Sequence, residues 1–115
     1  MRISVNVQIK DDDGEKFMGR GPYELLRRVD KLGSIRQAAI DMDMSYAKAH
    51  KLLKNLEKNL GVQLMEKTIG GADHGGTKLT AEARVVLKLY VEMVREIETF
   101  AQGSFAKFME NLTKL

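Results

Sequence analysis

Lys48, Lys51, Lys54 and Lys58 follow one another at spacings of three and four. On a helix such residues share one side. With Ala47 and Asn55 they make a side that reads as basic and without a matching acid. The chemistry open to such a row is ionic: ammonium groups meeting phosphate oxygens on a polyanion. An amphipathic helix with a solvated lysine side is the commoner reading of such a row. The residues just before it favour the phosphate reading, as set out below.

Other residues that could do chemistry fare worse. Gly71-Ala72-Asp73-His74-Gly75-Gly76-Thr77-Lys78 superficially resembles a phosphate-cradling nucleotide loop. Its order is Thr then Lys, and it joins strand to strand rather than strand to helix, so the lysine could not reach the phosphates as that mechanism requires. His50 and His74 are the only histidines and there is no cysteine. No zinc pattern follows from them, and they read as two exposed polar residues. Asp11-Asp12-Asp13 are adjacent in a turn ending at Gly14, cannot all point at one ion, and read as a solvated turn. No nucleophile–base pair, carboxylate pair or metal cluster emerges, so no enzyme activity, metal or cofactor is expected.

The lysines must be positioned by the segment from Gly33 to Glu57, which reads as two short helices and a tight turn. Ser34 is a suitable N-cap, and Ile35, Ala38, Ala39 and Met42 recur behind it at helical spacing. The small Ala38-Ala39 pair lets a second helix cross closely. Asp41 to Met44 forms the turn, and Ser45 caps the next helix. There Ala49, Leu52, Leu53, Leu56 and Leu60 form the apolar side opposite the lysines. This is the pattern of a helix-turn-helix whose second helix enters a DNA major groove by its N-terminal end.

Around this unit the chain predicts a mainly α fold with small β elements, a winged helix-turn-helix. Ile3, Val5, Val7 and Ile9 alternate with polar residues as a half-buried strand, and Glu15 to Met18 returns as the second strand of an N-terminal hairpin. Gly19 to Pro22 opens a helix whose buried side is Tyr23, Leu25, Leu26 and Val29, closed by Gly33. Gly61 caps the recognition helix, Val62 to Ile69 reads as a strand, and Thr77 to Leu79 as its short return. The glycine-rich tip between them makes this pair a wing, able to bring Thr77, Lys78 and backbone N–H groups to phosphates. Thr80 then caps a long last helix. Val86, Tyr90, Met93, Ile97 and Phe100 step by four, three, four and three, the seam of a paired helix. Its excess of apolar residues predicts a two-fold dimer. Gly103-Ser104 is expected to interrupt this helix before a second short segment carrying Phe105, Phe108, Met109 and Leu112. The organisation expected is thus a DNA-binding unit over residues 1–79 and a dimerisation region over 80–115.

Composition agrees with this reading. The 115 residues suit one domain, 43% hydrophobic and 30% charged, with a net charge of +3 that leans weakly towards a polyanion. The lack of cysteine fits a reducing cytosol, and neither a signal peptide nor a membrane span is read from the chain.

Gly33-Ser34-Ile35 with Gln37-Ala38-Ala39, Met44-Ser45-Tyr46 with Ala49, Leu64 to Lys67, the paired glycines Gly70-Gly71 and Gly75-Gly76, and Leu79-Thr80 together resemble the N-terminal DNA-binding domain of the ModE molybdate-responsive regulators. Ser45 to Gly61 is similar to the winged helix of LysR-type regulators. The resemblance runs from about Gly21 to Phe100. It implies a homodimeric regulator in a prokaryotic cytosol, nucleoid-associated, on a palindromic operator of double-stranded DNA. By position, Ser45, Tyr46, Ala47, His50 and Lys51 would face base edges and nearby phosphates. Arg36 and Gln37 would touch the backbone, and His74 to Lys78 would form the wing contact. Lys48 and Lys54 add to the basic side. A chain ending at Leu115 leaves no room for the molybdate-binding region of full-length ModE proteins, so the expectation is a regulator that acts without a ligand or with a separate ligand-sensing partner. The competing reading is a winged-helix protein-interaction module without DNA, which should carry apolar residues where Lys48, Lys51 and Lys54 stand.

Overall fold

The Gly33–Met44 segment folds as its spacing dictates and forms the middle one of three packed helices. The computed structural model describes residues 1–69 and 76–115. Helix α1 (Arg20–Leu32) buries Pro22, Leu25, Leu26 and Val29, and stops where Gly33 takes the left-handed conformation at φ 69°. Helix α2 (Ile35–Asp41) starts under the Ser34 cap and buries Ala38 and Ala39. Helix α3 (Tyr46–Leu60) buries Ala49, Leu53 and Leu56, and ends at Gly61, again left-handed at φ 67°. A β-carbon costs energy in that region, which is why glycine closes both helices. Arg28 ties α1 to α2, its Nε donating to Asp41 Oδ2 at 2.6 Å and its Nη1 to Glu24 Oε2 at 3.0 Å.

The N-terminal hairpin is shorter than its alternation suggests. Strand β1 is only Ile9–Lys10, and its antiparallel partner β2 is Lys16–Met18. Between them Asp11 Oδ1 accepts the backbone N–H groups of Asp13 and Glu15 at 2.9 Å each, so the acidic run is a self-capped turn. Upstream, Val5 and Val7 are half-buried and their polar neighbours exposed, as the alternation requires. Their support, however, is a helix. The Tyr90 hydroxyl donates to Val7 O at 3.0 Å and the Gln102 amide to Ile3 O at 3.0 Å. Period-two patterning reports a half-buried extended segment and does not say what covers it.

Strands β3 (Met65–Thr68) and β4 (Gly76–Leu79) pair antiparallel, with Met65 opposite Leu79 and Lys67 opposite Thr77. Helix α4 (Ala81–Leu112) is capped by Thr80, whose hydroxyl accepts from Ala83 N at 3.0 Å and donates to Gln63 O at 2.7 Å. Arg84 holds its first turn to α1 through both oxygens of Asp30 at 2.8 Å. The expected interruption at Gly103-Ser104 does not occur, since α4 runs unbroken through both residues. One helical glycine costs only about 1 kcal/mol against alanine. A helix this long, with apolar residues on either side of the glycine, absorbs that cost. At about 1.5 Å per residue α4 is roughly 48 Å long, and it accounts for a long dimension of 69 Å against 29 and 26 Å for the other two.

Tyr90 joins these parts, its ring 5.4 Å from that of Tyr23. Burial raises its pKa above the ordinary tyrosine value, with Tyr23 acting in the same direction and Arg20 opposing. A raised folded-state pKa means the neutral phenol is favoured by folding. That stability is complete below the unfolded value of about 10 and is lost as pH climbs through the folded value. Tyr90→Phe is therefore expected to lower stability by about 1 kcal/mol at neutral pH through loss of the bond to Val7. It should also flatten the alkaline decline in melting temperature, as a pH series of thermal unfolding curves would reveal.

Candidate nucleic-acid interface

Recognition geometry starts with the turn between α2 and α3. Asp43 occupies the left-handed region at φ 53°, a conformation aspartate tolerates better than most residues. Met44 N donates back to Ala39 O at 3.0 Å. Ala38, Ala39 and Ala49 are essentially without solvent contact, so the two helices cross closely because nothing larger than a methyl group stands between them. Ser45 Oγ accepts from Lys48 N at 3.1 Å. This cap leaves the first turn of α3 projecting from the body, with Tyr46, Ala47 and Lys48 exposed, Lys51 exposed one turn on, and His50 half-buried.

Lys48 and Lys51 form no ion pair among the described residues. The expectation of a side without acids needs correcting at Lys54, whose Nζ lies 3.3 Å from Glu57 Oε1. Glu57 is held there for a structural reason. Its side chain is only 15% exposed, and its other oxygen accepts from Leu64 N at 2.8 Å where the chain leaves α3 for β3. Lys58, exposed in the last turn of α3, also has no ion pair among the described residues, so Lys54 is the one lysine of the row that is paired.

Arg36 stands on α2 with its guanidinium 5.1 Å from the centroid of the Tyr46 ring, and the His50 ring lies 5.8 Å from that of Tyr46, tilted by 32°. These three residues form one stacked unit across the helix pair. Gln37 is exposed on α2, its backbone N–H taken by Ser34 Oγ at 3.1 Å.

The wing is fixed to this unit by backbone. Thr77 N donates to Gly33 O at 2.9 Å, while within the hairpin Gly76 N donates to the Thr68 hydroxyl at 2.6 Å. Opposed residues of a hairpin share a face. Lys67 and Thr77 therefore lie on the face of the buried Met65 and Leu79, turned to the body, while Lys78 shares the outer face with Glu66 directly across. Ser34, Ile35, Arg36, Tyr46, Lys67, Thr68, Gly76 and Thr77 line an open cleft of about 380 Å³ between wing and helix pair. Lys67 and Thr68 were not among the residues singled out from sequence. The strand alternation held the signal, since it places Lys67 on the same face as Thr77. His74 and the glycine tip fall outside the described residues.

The seam positions on α4 divide. Val86 and Tyr90 pack partly against the body, with Met93 beside them in a small apolar groove that also includes Ile9, Met18, Leu60 and Leu89. Ile97 is 37% and Phe100 80% exposed, and Val85 and Leu89 are more than half exposed.

A helix pair crossing over alanines, a capped second helix presenting unpaired lysines, and a docked two-stranded wing define a winged helix-turn-helix, the architecture of a DNA-binding transcription regulator. The profile of the lysR family of bacterial regulatory helix-turn-helix proteins matches residues 23–84, and the chain belongs to that family. It is 39% identical over 74 residues to the transcriptional regulator ModE of Haemophilus influenzae. That match takes in 64% of this chain and 29% of the relative, so the chain spans less than a third of the curated relative it matches. Among solved structures the fold is similar to those of the BenM DBD/catB site 1 and BenM DBD/benA site 1 DNA complexes. Each has a TM-score of 0.52 at 20% identity and covers 78% of this chain, with 92% and 93% of the other chain covered.

Proposed function

We propose that this chain binds double-stranded DNA as a homodimer at a palindromic operator, with the N-terminal end of α3 in the major groove. The observation that carries this reading is the exposed first half of α3, where Tyr46, Ala47, Lys48 and Lys51 project with no carboxylate partner among the described residues. Polar and aromatic groups there can meet base edges while the ammonium groups meet flanking phosphates. Gln37, at the exposed start of α2, is placed for the backbone beside the same groove. The interaction-module alternative is disfavoured by the same surface, because desolvating free lysines against protein is costly.

The region 80–115 serves as the dimer element. Its overhanging half leaves Ile97, Phe100, Phe108 and Leu112 exposed, more apolar surface than a lone helix would leave in water. Because the body already occupies part of Val86 and Tyr90, the seam is carried by Met93, Ile97 and Phe100 with Val85 and Leu89 joining them. The ModE similarity supports a place in molybdenum-related gene control in a prokaryotic cytosol. Selection of bound sequences from a random duplex pool tests the proposal. A two-fold palindrome with half-sites about one helical turn apart is expected, and recovery of no sequence preference would overturn it.

A further inference from the structure

We infer that the cleft between the wing base and the helix pair is a seat for one DNA-backbone phosphate, gripped by Lys67 from β3 and Arg36 from α2. This rests on the duplex-binding reading above and adds to it a contact that α3 does not make. Three observations place the seat. Lys67 is exposed and has no ion pair among the described residues, and the same holds for Arg36. The two cations belong to different elements that line a single cleft, so they converge on it from separate walls. Both walls are rigid: the Arg36 guanidinium is stacked on Tyr46, and β4, which pairs with Lys67's strand, is bonded to Gly33 O.

The chemistry selects an oxyanion. The Thr77 side chain stands opposite Lys67, and no acidic residue lines the cleft among the described residues. A guanidinium and an ammonium facing one space repel each other until an anion sits between them, and a phosphodiester supplies oxygens for both. The hairpin register makes the assignment specific. Lys78, the lysine expected to serve the wing, shares its outer face with Glu66, whereas Lys67 lines the cleft together with Tyr46 from the first turn of α3. A phosphate held here would lie beside the strand whose bases Tyr46 approaches, and would set the depth of α3 in the groove.

Salt dependence of duplex affinity provides the test. Each neutralised phosphate contributes about 0.9 to the slope of log K against log salt. Lys67→Gln is expected to lower the slope by about that amount and to weaken operator and random duplexes alike, leaving the preferred sequence unchanged. Lys10→Gln, which removes the same charge from the exposed side of the N-terminal hairpin, should leave the slope as it was. A duplex carrying a single neutral methylphosphonate, scanned along the site, should weaken the wild type at one position per half-site and weaken Lys67→Gln distinctly less there, since Arg36 alone remains to meet that phosphate. If wild type binds duplex with a steep slope and Lys67→Gln matches it, the seat is refuted while duplex binding stands. If wild type itself shows no salt-dependent binding, the parent reading fails first. Exchanging chloride for inorganic phosphate at constant ionic strength separates the two sources of the anion. Displacement of duplex from wild type but not from Lys67→Gln would show a site for free phosphate and overturn the backbone assignment.

Discussion

Lys48→Glu together with Lys51→Glu is expected to abolish specific duplex binding while leaving the fold intact. Both side chains are exposed and free of carboxylate partners among the described residues. Charged hydrogen bonds of the kind proposed here are worth about 1.5–3 kcal/mol each, so removing two weakens binding by roughly a hundredfold or more. The introduced carboxylates would repel the backbone in addition. Folding should not suffer, because glutamate is as good a helix former as lysine and is favoured by the dipole near the start of a helix. The check is a pair of measurements, a fluorescence titration with operator duplex and a thermal unfolding curve. Lost binding with an unchanged melting temperature is expected. Retained affinity would remove these lysines from the interface.

Gly76→Ala should produce the largest effect on the fold from the smallest chemical change. A β-carbon at Gly76 would stand 2.3 Å from the carbonyl oxygen of Gly33, closer than non-bonded atoms approach. The obstacle is backbone rather than a pliable side chain, so β4 itself must retreat. The Thr77 N–H bond to Gly33 O, 2.9 Å long, goes with it. Overpacking of this kind costs about 1–3 kcal/mol, and the loss of the hydrogen bond adds to it. The wing would also leave the position that turns Lys67 and Thr77 towards α3. Destabilisation by chemical denaturation together with weakened duplex binding is therefore expected. A variant as stable as wild type would show that the wing does not depend on this close approach.

The helix-turn-helix was legible because its signals are local. Ser34 and Ser45 cap the helices they precede, Gly33 and Gly61 close theirs in the left-handed region, and Ala38, Ala39 and Ala49 are buried at the crossing. The misreadings lie where a residue's partner is remote or competes across elements. Alternation at Ile3 to Ile9 correctly marked a half-buried segment, but its support proved to be α4, through Tyr90 and Gln102. Gly103 resembles a break by its local propensity alone, and the length of apolar helix on both sides of it overrides that propensity. Lys54 was read as free although Glu57 stands three residues on. What draws Glu57 into place is Leu64 N, a contact that exists only once β3 folds back. Lys67 and Lys78 look alike in the sequence, two lysines on the strands of one glycine-tipped hairpin. Register alone distinguishes the two faces.

The claim on which these readings depend is that α3 meets DNA by its first turns. Backbone amide chemical shifts of the full chain, followed during addition of a selected operator duplex, test it most directly. The largest changes are predicted at Ser45 to Lys51, with a second group at Lys67, Thr68 and Thr77. Changes confined to the outer side of α4, with residues 45–51 unmoved at saturation, would contradict it.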